Sequence, residues 1–525
     1  MSESRRFARG VTINWLAFGF SAGVAFFLSP FVVHHLGNVA YGVWTLVISL
    51  ISYMGLLDLG LRGAVVRYVS RLKAQDDHLN VNRTVSAALW LRFLVSFIAI
   101  LIGLMLARYS PAYFHIPAEL QNSARLAITV AATSFGVTLL GGVFGGILAA
   151  LHRFDLLGAV AISQTTVRAL GVVWLLRAGH GIIALACWEF VVVLSVNLVL
   201  VLLAFRNYPQ LKIALDRPSE EILNAIWGFS GYVFVIQVCV QVMYYTDNLV
   251  VGACVSAASV TFYSIGGTLI EYVRQLTSSL VTMFLPLASK FDAEKQQQKL
   301  QNLLIKGTNA ALAVTLPIEI VLLFRGPTFI GLWMGSQYAT ESGRVLQILL
   351  LGHILSVTTH TSANIAYGMG QPKPMVPWRL GEAVANLVLS IILAGRMGIS
   401  GVAWGTAVPS LFISLFFFPR FVSKMVGLRM STYLWKSWLP PALGVIPFAI
   451  ACLVTDRYWH ATTLIHFFIQ LAVIFPIYIL STALLFGRDL LEFLQSLGML
   501  PAKLSRLLRP SVSKTEAADR AGNGY

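Results

Sequence analysis

Charged residues are scarce in this chain. Only 11% of its 525 residues are Asp, Glu, Lys or Arg, whereas a soluble globular protein carries roughly 25%. Apolar residues make up 57% of the sequence. This deficit of charge argues against a set of soluble domains and predicts an all-α polytopic membrane protein whose main solvent is lipid.

Cysteine is rare as well. The four cysteines lie in or at the edges of apolar runs, and their spacing matches no metal-ligand pattern. The sequence also lacks a phosphate-binding glycine loop and a nucleophile triad. We therefore expect packing roles for the cysteines, no metal ion and no enzymatic active site.

Negative charge is the scarcer of the two signs. The chain has 38 Lys and Arg against 22 Asp and Glu, for a formal net charge of +16. In a soluble protein this excess would indicate nucleic acid as a partner. Here the basic residues lie mostly in short loops between apolar runs, so we interpret them as signals of orientation in an anionic membrane and expect no nucleic-acid partner.

Fourteen apolar runs follow one another between positions 11 and 486, each near the roughly 20 residues needed to cross a bilayer. Basic residues cluster in alternate connections, for example at Arg62, Arg67, Arg71 and Lys73. The other connections hold about one basic residue each, and Arg325 belongs to this second set. This asymmetry predicts a multi-pass protein with both termini in the cytoplasm.

Similar segments recur along the chain. Arg67–Gln75 aligns with Pro286–Glu294 at a separation of 219 positions, and Gly181–Ala186 resembles Gly398–Ala403 at a separation of 217. We therefore predict two parallel six-helix lobes around a central cavity, with an extra C-terminal helix pair. The predicted boundaries are 1–10 for a cytoplasmic leader, 11–205 for the first lobe, 206–226 for a cytoplasmic linker, 227–420 for the second lobe, 421–486 for the extra pair and 487–525 for a cytoplasmic tail.

Four segments carry a resemblance to a known family: Leu57–Gln75, Ala149–Leu157, Tyr245–Asn248 and Gly398–Ala403. Together they resemble the oligosaccharide and polysaccharide flippases of the multidrug/oligosaccharidyl-lipid/polysaccharide (MOP) exporter superfamily, over roughly residues 10 to 485. The resemblance implies alternating-access export of a lipid-linked glycan across the bacterial inner membrane, without a cofactor. It also implies membrane lipids and proteins of polysaccharide assembly as partners, and we expect a monomer.

Two alternatives remain within the same superfamily. A cation-coupled multidrug exporter would favour an acidic, aromatic cavity, whereas basic residues within the spans favour an anionic substrate. The flippase branch that handles the peptidoglycan precursor has clustered basic residues in its first two spans. The first span here has no arginine between Arg9 and His34, which argues against that branch.

Two arginines lie near the middle of predicted spans, Arg168 in the fifth and Arg274 in the eighth. A lipid-linked sugar carries a pyrophosphate, and basic side chains shelter such an anion from hydrocarbon. The alternative for Arg274 is a pair with Glu271 three residues earlier, and for Arg168 a pair with an acid such as Glu189. Arg92 is expected to extend to the cytoplasmic edge of the membrane.

The remaining candidates lie at the inner mouth of the first lobe and in the second half. Arg62 and Arg67 either anchor the helix on the cytoplasmic side or capture the anionic headgroup. His360 shares a helix face with His353, and either lines the cavity or packs. Three acids are candidates for binding a coupling proton or cation, with structural pairing as the alternative: Asp247, Glu271 and Glu319.

Overall fold

The computed structural model describes residues 3–58, 61–213 and 231–496. In the first half the α-helices are α1 Glu3–Met54, α2 Leu61–Ala74, α3 His78–Tyr113, α4 Ala118–Ala150, α5 Phe154–Arg177, α6 Ile182–Asn207, α7 Gly231–Cys254 and α8 Ala257–Val281. They continue with α9 Phe284–Ala293, α10 Gln297–Trp333, α11 Ser336–Gly368, α12 Val376–Met397, α13 Ile399–Phe412, α14 Phe418–Met425, α15 Met430–Ser437, α16 Leu439–Tyr458 and α17 Leu464–Ser496. Short 3-10 turns at Gly55–Asp58 and Lys373–Met375 and a π-helix at Ile413–Phe417 complete these ranges.

The described ranges contain helices and no strand, and 12 segments are long and apolar enough to cross a membrane. One of them, Gly19–Ala74, contains two of the predicted spans, because Gly37 interrupts α1 with φ 76° and ψ 166°. That backbone conformation is readily adopted by glycine alone. The 25-residue helix α8 corresponds to a further predicted span. The structure therefore accommodates about fourteen spans, and the predicted all-helical polytopic membrane fold is confirmed.

The first compact unit draws on Met1–Tyr272, Gly326–Gly352 and Pro372–Leu411. Its largest apolar core joins α1, α7, α8 and α13 through buried side chains such as Val43, Val251, Val260 and Val402. The backbones of α1 and α8 approach each other closely at Gly42, where a Cβ atom would lie 1.8 Å from the carbonyl oxygen of Ala257. Glycine at this position therefore permits the contact between the two helices.

A second core within the same unit joins α2, α3, α4 and α6, and includes Val69, Val85 and Ile147. Asp77 caps α3 by accepting a hydrogen bond of 3.0 Å from the backbone N–H of Asn80. This bond and a second one from the Asn80 side chain lower the pKa of Asp77. The cap fixes where α3 begins, directly after the basic helix α2.

The second compact unit draws on Val273–Arg325, His353–Gln371 and Phe412–Tyr525. The hydroxyl of Tyr478 on α17 donates a 2.6 Å hydrogen bond to the carbonyl oxygen of Ala313 on α10. The amide of Gln301, near the start of α10, donates to the carbonyl oxygen of Val426 just after α14. Long and short helices of this unit are thus connected by side-chain hydrogen bonds as well as by apolar packing.

Local backbone geometry also recurs along the chain, at separations within a few residues of those found in the sequence. Four residues with positive φ in the first half, each two residues after a helix end, have counterparts one or two residues after a helix end and 218 to 220 positions later. The pairs are Asp76 and Lys295, His115 and Gly335, His152 and Gly370, and Gly179 and Gly398. This recurrence supports the internal repeat. The lobe boundaries and their parallel relation stay predictions, and parts of the predicted linker and tail, 214–226 and 497–525, lie outside the described residues.

Candidate functional site

Arg168 on α5 forms an ion pair with Glu189 on α6. The two side chains are 43% and 29% exposed, so neither is buried inside the protein. The indole N–H of Trp188 donates to the carbonyl oxygen of Arg168 and adds a second contact between the helices. The alternative pairing considered for Arg168 is therefore present, and its guanidinium keeps additional donors for an anion.

Arg274 and Glu271 lie on α8 and are both half-buried. Arg67 is exposed on α2, a helix whose last turn also carries Arg71 and Lys73. Arg62 belongs to the same helix, but its side chain lies outside the described residues. The roles predicted for these residues in binding substrate stay predictions.

Asp247 on α7 is 5% exposed and lies in a polar cluster inside the first unit. Its Oδ2 atom accepts hydrogen bonds of 2.6 Å from the hydroxyl of Tyr263 on α8 and 2.6 Å from the hydroxyl of Thr406 on α13. The Thr406 oxygen in turn accepts a 2.8 Å bond from the amide of Asn386 on α12. The Oδ1 atoms of Asp247 and Asn386 are buried without a hydrogen-bond partner. Four helices thus surround one carboxylate with uncharged polar groups.

The cluster around Asp247 lacks a basic partner in the described part of the chain. A buried carboxylate without a counter-charge is costly, and binding a proton or a small cation removes that cost. Two oxygen atoms without partners, one on Asp247 and one on Asn386, are suitable ligands for a hard cation such as Na⁺. The neighbouring residues on α7 attach to α1 through Tyr53–Thr246 and Ser49–Asn248 hydrogen bonds.

Glu319 and His353 form a second buried acidic site, within the second unit. Glu319 on α10 is 0% exposed, and its Oε1 atom lies 2.7 Å from Nδ1 of His353 on α11. The ring of His360, one of the predicted substrate-binding residues, is half-buried and lies 6.5 Å from the His353 ring, centroid to centroid. The predicted shared face of the two histidines is therefore present on α11.

Two arginines differ from their sequence-based interpretation. Arg92 does not extend to the membrane edge: it is 2% exposed and donates to Asp58 and to the carbonyl oxygen of Leu139. Arg325 is not a loop residue, because α10 continues to Trp333 and buries Arg325 completely. Each guanidinium pairs with an acid on another element, 34 positions away for Arg92 and 131 positions away for Arg325, and such a partner leaves no signal in the local sequence.

The pair that stabilises Arg325 lies in the second unit. Its Nε atom is 3.3 Å from Oδ1 of Asp456 on α16, and it also donates to Gln470 on α17. Its guanidinium lies 4.5 Å from the ring centroid of Phe467. Across the described ranges, the acidic, histidine and cysteine side chains form no group of three or more suited to a metal ion.

Comparison with known proteins identifies the family. Residues 35–342, more than half of the chain, match the family described as "Polysaccharide biosynthesis protein". The chain belongs to this family. It is 23% identical over 446 residues to the "Uncharacterized membrane protein EpsK" of Bacillus subtilis, covering 82% of this chain and 85% of the relative. It is 21% identical over 392 residues to the "Putative O-antigen transporter" of Shigella flexneri, covering 74% and 92%.

Solved structures show the same fold at low identity. The lipid II flippase MurJ in an inward closed conformation superposes with a TM-score of 0.70 at 15% identity, covering 91% of this chain and 100% of that one. An inward-facing multidrug resistance transporter of the MATE family, of the MOP superfamily, gives 0.67 at 14% identity, covering 80% and 96%. These likenesses show the fold alone, and with the 12 candidate spans they confirm the predicted multi-pass membrane protein.

Proposed function

We propose that this chain exports a lipid-linked oligosaccharide, carried on a polyprenyl pyrophosphate, from the inner to the outer leaflet of a bacterial inner membrane for cell-surface polysaccharide synthesis. The family match over residues 35–342 carries this proposal. The fold shared with MurJ and with MATE transporters supports a transport role, since both are named as movers of molecules rather than as enzymes of glycan synthesis.

The pyrophosphate supplies the negative charge that the basic side chains bind in this proposal. Arg168 and Arg274 lie within the spans, where a charged side chain costs roughly 2.5–3.5 kcal/mol on insertion scales and is therefore seldom present without a use. Arginine binds phosphate oxygens through two parallel hydrogen bonds. Arg62 and Arg67 capture the headgroup at the cytoplasmic surface, and His360 contacts the glycan or its phosphate.

Asp247 is the coupling acid in this proposal. Its burial, the absence of a basic partner among the described residues and its partnerless Oδ1 atom favour a group that binds and releases a proton or a small cation during each cycle. Glu271 and Glu319 were the other candidates from the sequence. Glu319 has a histidine partner and Glu271 is only half-buried, so Asp247 is the acid whose charge most requires a bound cation.

We further propose that the protein acts as a monomer with both termini in the cytoplasm and works without a cofactor. Membrane lipids and the proteins of polysaccharide assembly are its partners, and nucleic acid is not. The basic residues of alternate connections support the orientation of the termini, and the family supports the partners in polysaccharide assembly.

Deletion of the gene tests the function. In spheroplasts of the deletion strain, lipid-linked glycan should accumulate in a form that an added, membrane-impermeant glycosidase does not reach, and surface polysaccharide should be lost. The wild-type gene should restore both. Surface polysaccharide at the wild-type level after deletion would contradict the proposal.

The variant Asp247→Asn tests the coupling acid. It keeps the size and the hydrogen-bond acceptor of the side chain but removes the charge, so export should fall severalfold at unchanged protein abundance. The matched control is Asp292→Asn, because Asp292 is an exposed acid near the end of α9. Equal export by the Asp247→Asn variant and the wild type would remove Asp247 from the coupling mechanism.

The alternative function is cation-coupled export of drugs. The MATE fold and the buried acid Asp247 favour it. It predicts increased resistance to cationic drugs on overexpression, with surface polysaccharide unaffected by deletion, so the same strains distinguish the two functions.

A further inference from the structure

The pair formed by Glu319 and His353 has polar atoms that the protein leaves without a partner. Glu319 is 0% and His353 6% exposed, and Nδ1 and Oε1 are 2.7 Å apart. The other atoms of the pair, Oε2 of Glu319 and Nε2 of His353, are also buried and have no hydrogen-bond partner. A buried polar atom without a hydrogen-bond partner destabilises the fold, so its presence calls for a functional explanation.

The pair lies deep within its helices. Glu319 is four residues, about 6 Å, from the midpoint of α10, and His353 is one residue, about 1.5 Å, from the midpoint of α11. Both helices are candidate membrane spans. At this depth a net charge is costly, so the number of protons on the pair decides its energy.

We propose that the Glu319–His353 pair is a proton-binding site that takes up and releases one proton in each transport cycle. This inference rests on the proposed transport function and adds a site separate from Asp247. With Glu319 ionised and His353 neutral, Nδ1–H donates to Oε1 and the pair has one negative charge. A proton from water then binds to the lone pair of Nε2, which gives an imidazolium–carboxylate pair without net charge. Loss of the proton from Nε2 restores the first state.

The charged and titratable groups around the pair are engaged in contacts of their own. Arg325, six residues and about 9 Å further along α10, is paired with Asp456 and Gln470. Two tyrosines approach α10 from neighbouring helices, and their hydroxyls contact other groups: Tyr433 lies 3.3 Å from Thr308, and Tyr478 donates to Ala313. His360 is the titratable group next to His353, at 6.5 Å.

His360 gives the proton a way in. Its ring is half-buried, whereas that of His353 is almost fully buried, and the two lie on one face of α11. A water molecule between the rings, or a rotation of either ring, transfers a proton from the accessible imidazole to Nε2 of the buried one. His360 is thus a positioning residue for proton entry in this proposal.

Nuclear magnetic resonance of ring-¹⁵N-labelled histidine in proteoliposomes of the full-length protein measures the proton directly. The His353 signals are identified by their loss in His353→Asn. They should change from the neutral to the doubly protonated form within the range of pH over which export varies. In Glu319→Gln, the population of doubly protonated His353 should fall severalfold at the same pH, because the carboxylate no longer balances its charge.

Two controls separate titration from structure. Glu294→Gln removes an exposed acid after α9 and should leave the His353 signals unchanged. Glu319→Asp keeps the carboxylate and should keep part of the response, even where Glu319→Gln lowers protein abundance. His353 signals that stay neutral at every pH, in the wild type and in Glu319→Gln alike, would overturn the proposal.

Transport provides the second readout. Surface polysaccharide in cells complemented with the wild type should depend on external pH. Glu319→Gln and His353→Asn should lose this dependence, while His152→Asn, in an exposed loop, should retain it. An unchanged pH profile in both variants would also contradict the proton site. A titrating His353 in a protein whose deletion leaves surface polysaccharide intact would instead reject the proposed function and preserve the site.

Discussion

Arg92 and Asp58 form an ion pair in which only the acid is accessible to solvent. The arginine side chain is 2% exposed and that of the aspartate 37% exposed. The pair links α3 to the 3-10 turn Gly55–Asp58, which directly follows α1. The sequence places Asp58 at the end of an apolar run, and this contact explains how a charge is accommodated there.

The ion pair predicts that removing the acid alone destabilises the protein more than removing both charges. Asp58→Asn leaves a buried guanidinium without its counter-charge and should destabilise the protein by about 1–3 kcal/mol, less than for a fully buried pair because Asp58 is partly solvated. Thermal unfolding of the purified protein in detergent measures the change. The double variant Asp58→Asn/Arg92→Met should recover most of the loss, and a double variant as unstable as the single one would contradict the explanation.

The close packing at Gly42 of α1 predicts that a larger side chain there lowers the stability of the protein. A Cβ atom at this position would lie 1.8 Å from the carbonyl oxygen of Ala257, so Gly42→Ala should separate α1 from α8 and destabilise the protein by about 1–3 kcal/mol. Gly23 lies on the same helix, and a Cβ atom there would meet no neighbouring atom within 4 Å, so Gly23→Ala is the control. It should be neutral or stabilising, because alanine favours helices. Equal unfolding temperatures for the two variants would show that the contact is not required.

Arg274 is tested by comparing single and double variants. Arg274→Ala should reduce glycan export in a complementation assay at normal abundance, and Arg274→Lys should retain part of the activity because it keeps the charge but not the forked contact. The double variant Arg274→Ala/Glu271→Gln distinguishes the two interpretations. Recovery of export in the double variant would leave Arg274 as a partner of Glu271 rather than a contact of the pyrophosphate.

The same logic applies to Arg168, whose partner Glu189 is observed. If Arg168 also binds the pyrophosphate, Arg168→Gln should reduce export and Arg168→Gln/Glu189→Gln should not restore it. Glu189→Gln alone should keep most of the activity, because the guanidinium remains. Full activity in the double variant would assign the pair to helix packing alone.

Topology is tested with single cysteines in a background without the native ones. Cysteines at Tyr113 and Tyr458, both exposed at helix ends, should react with a membrane-impermeant thiol reagent added to intact cells. Cysteines at Gln75, Glu294 and Ser431, all exposed, should react after the membrane is permeabilised. Labelling at Glu294 from outside would contradict the predicted orientation of the second half.

The periodic features of the chain were predictable from its sequence. The apolar runs required helices in lipid, and Gly37 separates the first two spans even though the helix otherwise runs from Glu3 to Met54. The recurrence of positive φ at Asp76 and Lys295 corresponds to the predicted alignment of Arg67–Gln75 with Pro286–Glu294. These properties depend on residues near each other in sequence, so local patterns report them.

The partners of the buried charges were less predictable. Arg168 with Glu189 was among the alternatives, since few acids lie within the spans. Arg325 with Asp456, 131 positions later, had no local signal, and its placement in a loop was wrong. Asp247 was a candidate as an acid within a predicted span, and the polar residues of its cluster, Tyr263, Thr406 and Asn386, come from three other helices.

The sequence by itself determined that this chain is a helical membrane protein, because apolar length and scarce charge admit few other folds in lipid. The sequence also determined that similar segments recur in the two halves of the chain. Tertiary structure alone decided which charges are neutralised and which are left with partnerless atoms, as at Asp247 and in the Glu319–His353 pair. The physical reason is that a charge in lipid is stabilised by groups within about 4 Å, and in a helical bundle those groups come from helices far apart in the sequence.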